Sequence, residues 1–404
     1  MTTTVTTIGT HPALAAALPL VLPLLGMGLA VLAGPRHRLQ RIVGLGVTAG
    51  LLATTFLLAR GFLAEGPLLV RMGGWDAPVG IPLGVDALTV VMLGLASVMA
   101  MSTLVHEWET GSSRTRSRAF VPLFMLTLVG VNGAFLARDL FNLYVWFEVL
   151  LMGGFGLLVV TGGRDGREAA VKSLTLNMLG SLLFLVAVGV TYGLAGTLDM
   201  FRLQESLAAV HAERPAAVTG VAALLLVAFA VKAAVFPFHF WLPASYHVPT
   251  AGVSALFAAV LTKVGIYSIL RVFTLPFAVV DGFGPVLGVL PAVTLVGGVV
   301  GALAQSDIKR ILAWHEMFTD TIGGVDIAGV YCTLCGTIIP YKTTTGGVDY
   351  QLGTSGFLYR SNKLMYDQAT QSLWSTVRGE PVIGPLVDKG IALEHLSMVT
   401  TTWG

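Results

Sequence analysis

"LLLVAFAVKAAVFPFHFWLP", residues 224–243, places the ammonium of Lys232 inside an otherwise apolar run and follows it with Pro237, His239 and Pro243. What that lysine requires depends on the solvent around the run. The 404-residue chain is 55% hydrophobic and only 11% charged, whereas soluble domains carry about a quarter of their residues as charges. Apolar runs long enough to cross a hydrocarbon core of about 30 Å recur along the first three quarters of the chain. They fall near residues 12–33, 42–63, 84–105, 119–137, 139–160, 173–195, 216–240, 252–272 and 285–304. The chain therefore reads as an all-α polytopic membrane protein with about nine transmembrane helices. A net charge of +2 with scattered basic residues argues against nucleic acid as a partner.

The first residues, "MTTTVTTIGTHPALAAALPL", lack the basic flank of a cleaved signal, so the first run reads as a retained span. Basic residues then cluster on alternate connections: Arg36, Arg38 and Arg41; Arg114, Arg116 and Arg118; Arg164, Arg167 and Lys172; Lys309 and Arg310. The bias of such clusters toward the cytoplasm predicts an outside N-terminus and a cytoplasmic C-terminal tail.

Lysine and arginine are used differently. Of the fifteen arginines and four lysines up to residue 310, every arginine lies at or near the end of a run, whereas Lys232 and Lys263 lie inside one. Arginine stays charged at any biological pH, while a buried lysine can release and recover its proton. An ionisable group at mid-membrane costs roughly 2.5–3.5 kcal/mol and needs a partner or water. Glu148, about ten residues into the fifth run, is the candidate partner of Lys232. A structural ion pair between two helices is one reading. A proton path is the other, because Lys263 follows in the next run and His239 and His247 lie between the two lysines, completing a series of titratable groups.

The connection "FPFHFWLPASYHVPT", 236–250, carries Pro237, Pro243 and Pro249, so the seventh helix should break there. Broken helices at membrane depth persist where they are buried in protein or line a water-filled cavity; a tight turn anchored by Trp241 at the interface is the alternative. Asp86 reads as a cap or interfacial charge, and Arg138 with Asp139 as an interfacial pair.

Three separated stretches, "LFNLYVWFEVLLMGGFGL" (140–157), "AFAVKAAVFPFHFWLPASYHVPTAGVSALFAAVLTKVGIYSILR" (228–271) and "GALAQSDIKRILAWH" (301–315), resemble the antiporter-like proton-translocating subunits shared by respiratory complex I and multisubunit Mrp cation/proton antiporters. "RMGGWDAPVGIPLGVDALTVVML" (71–93) is most similar to the D-type Mrp subunit. Over residues 1–314 the resemblance implies the first inverted repeat of that fold, with a broken seventh helix. Glu148 would be the fifth-helix acid, Lys232 the base it pairs with and Lys263 the onward lysine, with His239 and His247 in the broken segment. It further implies a multi-pass protein of the bacterial plasma membrane, no flavin or iron–sulfur cofactor of its own, and membrane subunits, protons and a monovalent cation such as sodium as partners. Such a chain is a transporter subunit rather than an enzyme, although relatives serve NADH-quinone oxidoreductase, and a complex I subunit is the alternative. The second inverted repeat, expected after residue 314, is missing.

Residues 315–404 read instead as a small β-rich fragment, with short alternating stretches between Gly-rich turns. Its C-x-x-C (Cys332, Cys335), "SGFLYRSN" (355–362), "MYD" (365–367) and Trp374 resemble a bacterial domain family of unknown function. The two cysteines could form a redox pair, half a zinc site or a reduced structural pair; His315 and His395 lack the paired spacing of zinc ligands. A fusion or chimeric product, in which a membrane anchor carries this fragment without transporting, is a separate reading.

Overall fold

The computed structural model describes residues 4–7, 11–72, 80–110, 115–280, 283–303, 317–322, 324–332, 337–359 and 362–396. The chain divides into two units, Met1–Leu295 and Val296–Gly404.

The first unit is helical. Among the described residues, seven helical stretches are long and apolar enough to cross a membrane: Leu14–Ala33, His37–Glu65, Ala87–Thr110, Leu140–Gly162, Gly166–Ala195, Pro215–Lys232 and Ala251–Thr274. Two shorter apolar helices, Phe120–Leu136 and Phe283–Gly298, lie at two further expected runs, the second of them continuing past Leu295. Each run becomes a helix because lipid offers no partner to a free N–H or C=O, and a helix satisfies both within one segment. Leu32, Leu57, Leu63 and Val186 stand exposed on the outside of the unit, as side chains facing acyl chains do. The elements used below are α1 (His11–Ala33), α2 (His37–Glu65), α3 (Ala87–Thr110), α4 (Phe120–Leu136), α5 (Leu140–Ala195), α6 (Met200–Glu213), α7 (Pro215–Lys232), α8 (Trp241–Tyr246), α9 (Ala251–Leu256), α10 (Thr262–Thr274) and α11 (Phe283–Leu303). A small sheet, β1 (Thr4–Thr7), β2 (Leu68–Met72) and β3 (Ile81–Val85), accompanies them, with β2 in the middle.

α5 is helical over 56 residues, yet Phe147 and Phe184 meet edge to face with ring centroids 6.0 Å apart. In a straight helix residues that far apart in sequence would be separated by more than 50 Å at 1.5 Å per residue. The segment is therefore a hairpin of two arms, Leu140–Gly162 and Gly166–Ala195. Gly166 permits the reversal, since a Cβ there would collide with the Leu158 carbonyl oxygen.

The seventh run breaks earlier than its prolines alone suggest. α7 stops at Lys232, and Ala234 adopts the left-handed conformation at φ 54°. The Val235 N–H then donates back to the Ala230 carbonyl at 2.9 Å, a closing pattern in which glycine is the usual left-handed residue. Trp241 Nε1 donates to the Val231 carbonyl at 3.0 Å, which ties α8 to the end of the stopped helix. A 3-10 turn, Phe238–Phe240, leads into α8, and Phe257–Leu261 forms a π-helical turn between α9 and α10.

The second unit is β-rich. β4 (Met317–Ile322), β5 (Val325–Cys332) and β6 (Thr337–Lys342) form an antiparallel meander. β7 (Thr344–Thr345) and β8 (Val348–Asp349) make a hairpin through Gly346 and Gly347, both at positive φ as a tight two-residue turn requires. β9 (Leu352–Tyr359), β10 (Asn362–Asp367), β11 (Leu373–Ser375) and β12 (Pro381–Ile383) form a four-stranded sheet. Trp374 is fully buried beside Tyr341, Tyr350 and Met365, and Asp367 accepts from Thr370 N at 2.9 Å and Thr370 Oγ1 at 2.6 Å. The "MYD" and Trp signature thus places a core anchor and a turn-forming carboxylate. Cys335, His315, Lys309 and Arg310 lie outside the described residues, as does the Cys332 side chain.

Candidate functional site

Lys232 ends α7 with its side chain turned inward, and the residue is 4% exposed. Its Nζ donates to Ser181 Oγ at 2.6 Å and to the Asn177 carbonyl at 3.2 Å, both on the second arm of α5. Glu148, on the first arm, lies 3.9 Å from Nζ, beyond hydrogen-bond distance. Ser181 closes that gap, because its hydroxyl also donates to Glu148 Oε1. Carboxylate, hydroxyl and ammonium therefore form one hydrogen-bonded line across three helical segments. Phe147 adds its ring face, 5.5 Å from Nζ, a contact that favours a cation. The position of Lys232 also matters, since the negative end of a helix dipole stabilises a cation in its last turn.

Close backbone approach holds the line together. A Cβ on Gly180 would stand 3.0 Å from Val231 Cγ1, and one on Gly265 would stand 2.6 Å from the Ala233 nitrogen. These two glycines let the second arm of α5 and α10 close on the end of α7, one residue either side of Lys232. A cavity of about 30 Å³ opens beside the lysine, between Ser173 and Asn177 of α5 and Trp241, Ser245 and Tyr246 of α8. It has room for one or two waters, and it lies between Lys232 and the broken segment.

The remaining expected residues occupy distinct places. His247 Nδ1 lies 2.7 Å from the Pro243 carbonyl. His239 stacks between Phe236 and Phe240, at centroid distances of 5.4 and 5.0 Å. Lys263 follows the π-helical turn, is exposed on the surface of the unit, and donates to the Ala258 carbonyl. Among the described residues, no group of three or more His, Cys, Asp or Glu side chains could hold a metal ion.

Ser181 does not stand out in the sequence as a partner of the lysine, although Ser173, Asn177 and Ser181 recur every fourth residue in an apolar arm, which places them on one helix face. A second charged centre is likewise hidden in the sequence. Arg271 of α10 grips Asp86 through two bonds, 2.6 and 2.9 Å long, and Arg138, 1% exposed, lies 3.2 Å from the same carboxylate. Arg138 also donates to Thr89 Oγ1 at 2.8 Å and to the Tyr267 hydroxyl at 3.2 Å. Burial by itself would raise the Asp86 carboxyl, but the Arg271 bonds and the charges of both guanidiniums hold it well below the ordinary carboxylate range. Arg138 therefore pairs with Asp86 and not with its neighbour Asp139, which caps α5 by accepting from Asn142 N at 2.8 Å.

Residues 137–317 match the family described as "NADH:quinone oxidoreductase/Mrp antiporter, TM", and residues 304–404 match a protein family of unknown function, DUF3179. The D-type subunit of the Na(+)/H(+) antiporter of Alkalihalophilus pseudofirmus is 38% identical over 299 residues, 74% of this chain and 60% of that protein. The corresponding D-type antiporter protein of Bacillus subtilis is 35% identical over 315 residues, 78% of this chain and 63% of that protein. A chain in the structure of the Mrp complex from Dietzia sp. DQ12-45-1b superposes with a TM-score of 0.69 at 31% identity, over 75% of this chain and 56% of that one. The chain spans about three fifths of the length of the curated relatives it matches.

Proposed function

Because residues 137–317 carry the membrane domain of the NADH:quinone oxidoreductase/Mrp antiporter family, we propose that the multi-pass unit of this chain is a proton-conducting subunit of a multisubunit monovalent cation/proton antiporter. The observation that carries the proposal is the Lys232–Ser181–Glu148 line beside the cavity at the broken helix. An ammonium, a hydroxyl and a carboxylate in series can exchange one proton. Lys232 gives a proton to Ser181 Oγ as the Ser181 proton passes to Glu148, which leaves a neutral amine, an intact hydroxyl and a carboxylic acid. A static pair would not need the hydroxyl, the gap or the cavity. His239 and His247 extend the titratable series into the broken segment, and Lys263 stands where the proton would leave this unit toward a neighbouring one. Partner membrane subunits, sodium as the coupled cation and an outside N-terminus complete the reading.

Proton-coupled sodium efflux from everted vesicles tests it, with the chain co-expressed beside its partner subunits. Glu148→Ala and Lys232→Ala should abolish efflux while the assembled complex persists on native gels. Undiminished efflux in either variant refutes the proposal. Transport lost only together with NADH-quinone reductase activity would point to the complex I alternative. A second reading, a non-transporting membrane anchor for the β-rich domain, is favoured by the match of residues 304–404 to a different family; it predicts no cation-coupled proton movement by the intact wild-type chain.

A further inference from the structure

The α1–α2 connection and the segment 115–119 that enters α4 come together at the ends of their spans and border a basic cleft remote in sequence from the Lys232–Ser181–Glu148 line. Arg36, His37, Arg38, Arg41 and Arg116 line it together with Leu39 and Ile42, and its volume is about 790 Å³. Gln40, only 2% exposed, fixes its geometry. The Gln40 amide nitrogen has the carbonyls of Ala30 at 3.0 Å, Gly34 at 3.1 Å and Arg118 at 3.0 Å as acceptors for its two N–H groups, which joins the first interhelix turn to the segment entering α4. The Arg41 guanidinium is held 5.3 Å over the Trp108 ring. Among the described residues, no carboxylate forms an ion pair with Arg36, Arg38, Arg41 or Arg116. α2 also starts without an acidic residue in its first turn and without a side-chain cap at Arg36, so these cations gather at the positive end of a helix, where like charge is unfavourable unless an anion answers it.

Guanidinium groups bind phosphate through paired donors. A soluble phosphate would have no use for the rest of the cleft wall. Leu39 and Ile42 are 42% and 61% exposed, and Trp108 beside Arg41 is 40% exposed. Together they give an apolar flank and an interfacial aromatic at the level where spans emerge from the bilayer. We propose that this cleft binds the phosphodiester headgroup of an anionic phospholipid of the surrounding membrane, with Leu39 and Ile42 against its acyl chains. Basic pockets between spans capture acidic lipids in this way, and the proposal does not depend on transport.

Trp108 is the reporter. The full chain, purified in detergent micelles, is titrated with brominated phosphatidylglycerol or brominated phosphatidylcholine while tryptophan fluorescence is read, with Trp108→Phe isolating the local signal. Phosphatidylglycerol should quench Trp108 at lower mole fraction than phosphatidylcholine. Neutralising Arg36, Arg38 and Arg116 to glutamine should erode the preference by about fivefold per arginine, while Arg60→Gln, at the other end of α2, leaves it unchanged. Sodium chloride titration of the wild-type chain supplies a reading that needs no variant, because screening should weaken the preference. Equal quenching by both lipids, a preference indifferent to salt, or one unchanged in the triple variant overturns the proposal. Displacement of the lipid by inorganic phosphate at comparable concentration assigns the cleft to free phosphate and overturns it as well.

Discussion

Ser181→Ala is the sharpest test of the carboxylate–hydroxyl–ammonium line, because it removes one oxygen and leaves both charges in place. In the wild-type protein the hydroxyl accepts from Lys232 Nζ at 2.6 Å and donates to Glu148 Oε1, whereas the two charged groups are 3.9 Å apart. Hydrogen bonds to charged groups contribute about 1.5–3 kcal/mol each. If one such bond is needed where the proton crosses, its loss slows the step by roughly 10- to 150-fold. The assay is the initial rate of sodium-dependent pH change in everted vesicles, at matched levels of assembled complex. Ser181→Thr, which keeps the hydroxyl, should retain most of the rate. An alanine variant as fast as wild type would show that protons do not pass through Ser181 and would reduce Glu148 and Lys232 to an ordinary ion pair.

Asp86→Asn should destabilise the detergent-solubilised protein by about 3 kcal/mol, the lower part of the range for breaking a buried ion pair, because it strands Arg138 and Arg271. Asp86 has a depressed pKa in the folded state, so its contribution is present above the unfolded carboxylate value of about 3.9 and is lost as pH falls through the folded value. Thermal melts should therefore show a constant gap between wild type and variant at neutral and mildly acid pH, narrowing only in strong acid; a gap that closes by about pH 6, well above that carboxylate range, contradicts this. Gly265→Leu should lower the melting temperature and the transport rate together, since its Cβ would meet the Ala233 backbone and overpacking of this kind costs about 1–3 kcal/mol or more. Gly220→Ala, with nothing within 4 Å of the added carbon, should leave both unchanged, and a comparable loss there would refute the packing argument.

How legible the molecule was depended on the range of each interaction. The runs were plain because hydrocarbon imposes length and composition on every span, and so was the break between Lys232 and Lys263, because proline removes a donor wherever it stands. The place of the break was not. α7 ends at Lys232 through the left-handed Ala234, a conformation that alanine does not announce. The reversal within α5 was plain, since it falls between the runs at 139–160 and 173–195; the packing of Gly166 against Leu158 was not, because that glycine resembles any other in sequence. Ser181 carried a faint signal in its four-residue spacing with Asn177 and Ser173, but a periodic polar residue in a membrane helix more often bonds its own backbone, as Thr161 does to Leu157 at 2.7 Å. The Asp86–Arg271 clamp carried none, since its partners lie 185 residues apart.

On the proposed reading the two charged centres of this membrane unit have different tasks, and the difference follows from side-chain chemistry. Arg138 and Arg271 never release a proton at biological pH, and their donors are engaged by Asp86, Thr89, Tyr267 and main-chain carbonyls. That centre locks the ends of α3, α4 and α10 and has nothing to exchange. Lys232 has two hydrogen bonds in place of many, a partner held one hydroxyl away, and a cavity alongside. Exchanging the two chemistries should separate them by experiment. Lys232→Arg keeps the charge, yet a guanidinium cannot be deprotonated and would bond Glu148 through its fork, so transport should fail although the complex assembles. Arg271→Lys should cost stability first, because an ammonium cannot reproduce the paired bonds to Asp86. Retained transport in Lys232→Arg would mean that the charge at this position matters and its proton does not, and the proton path would then have to lie elsewhere.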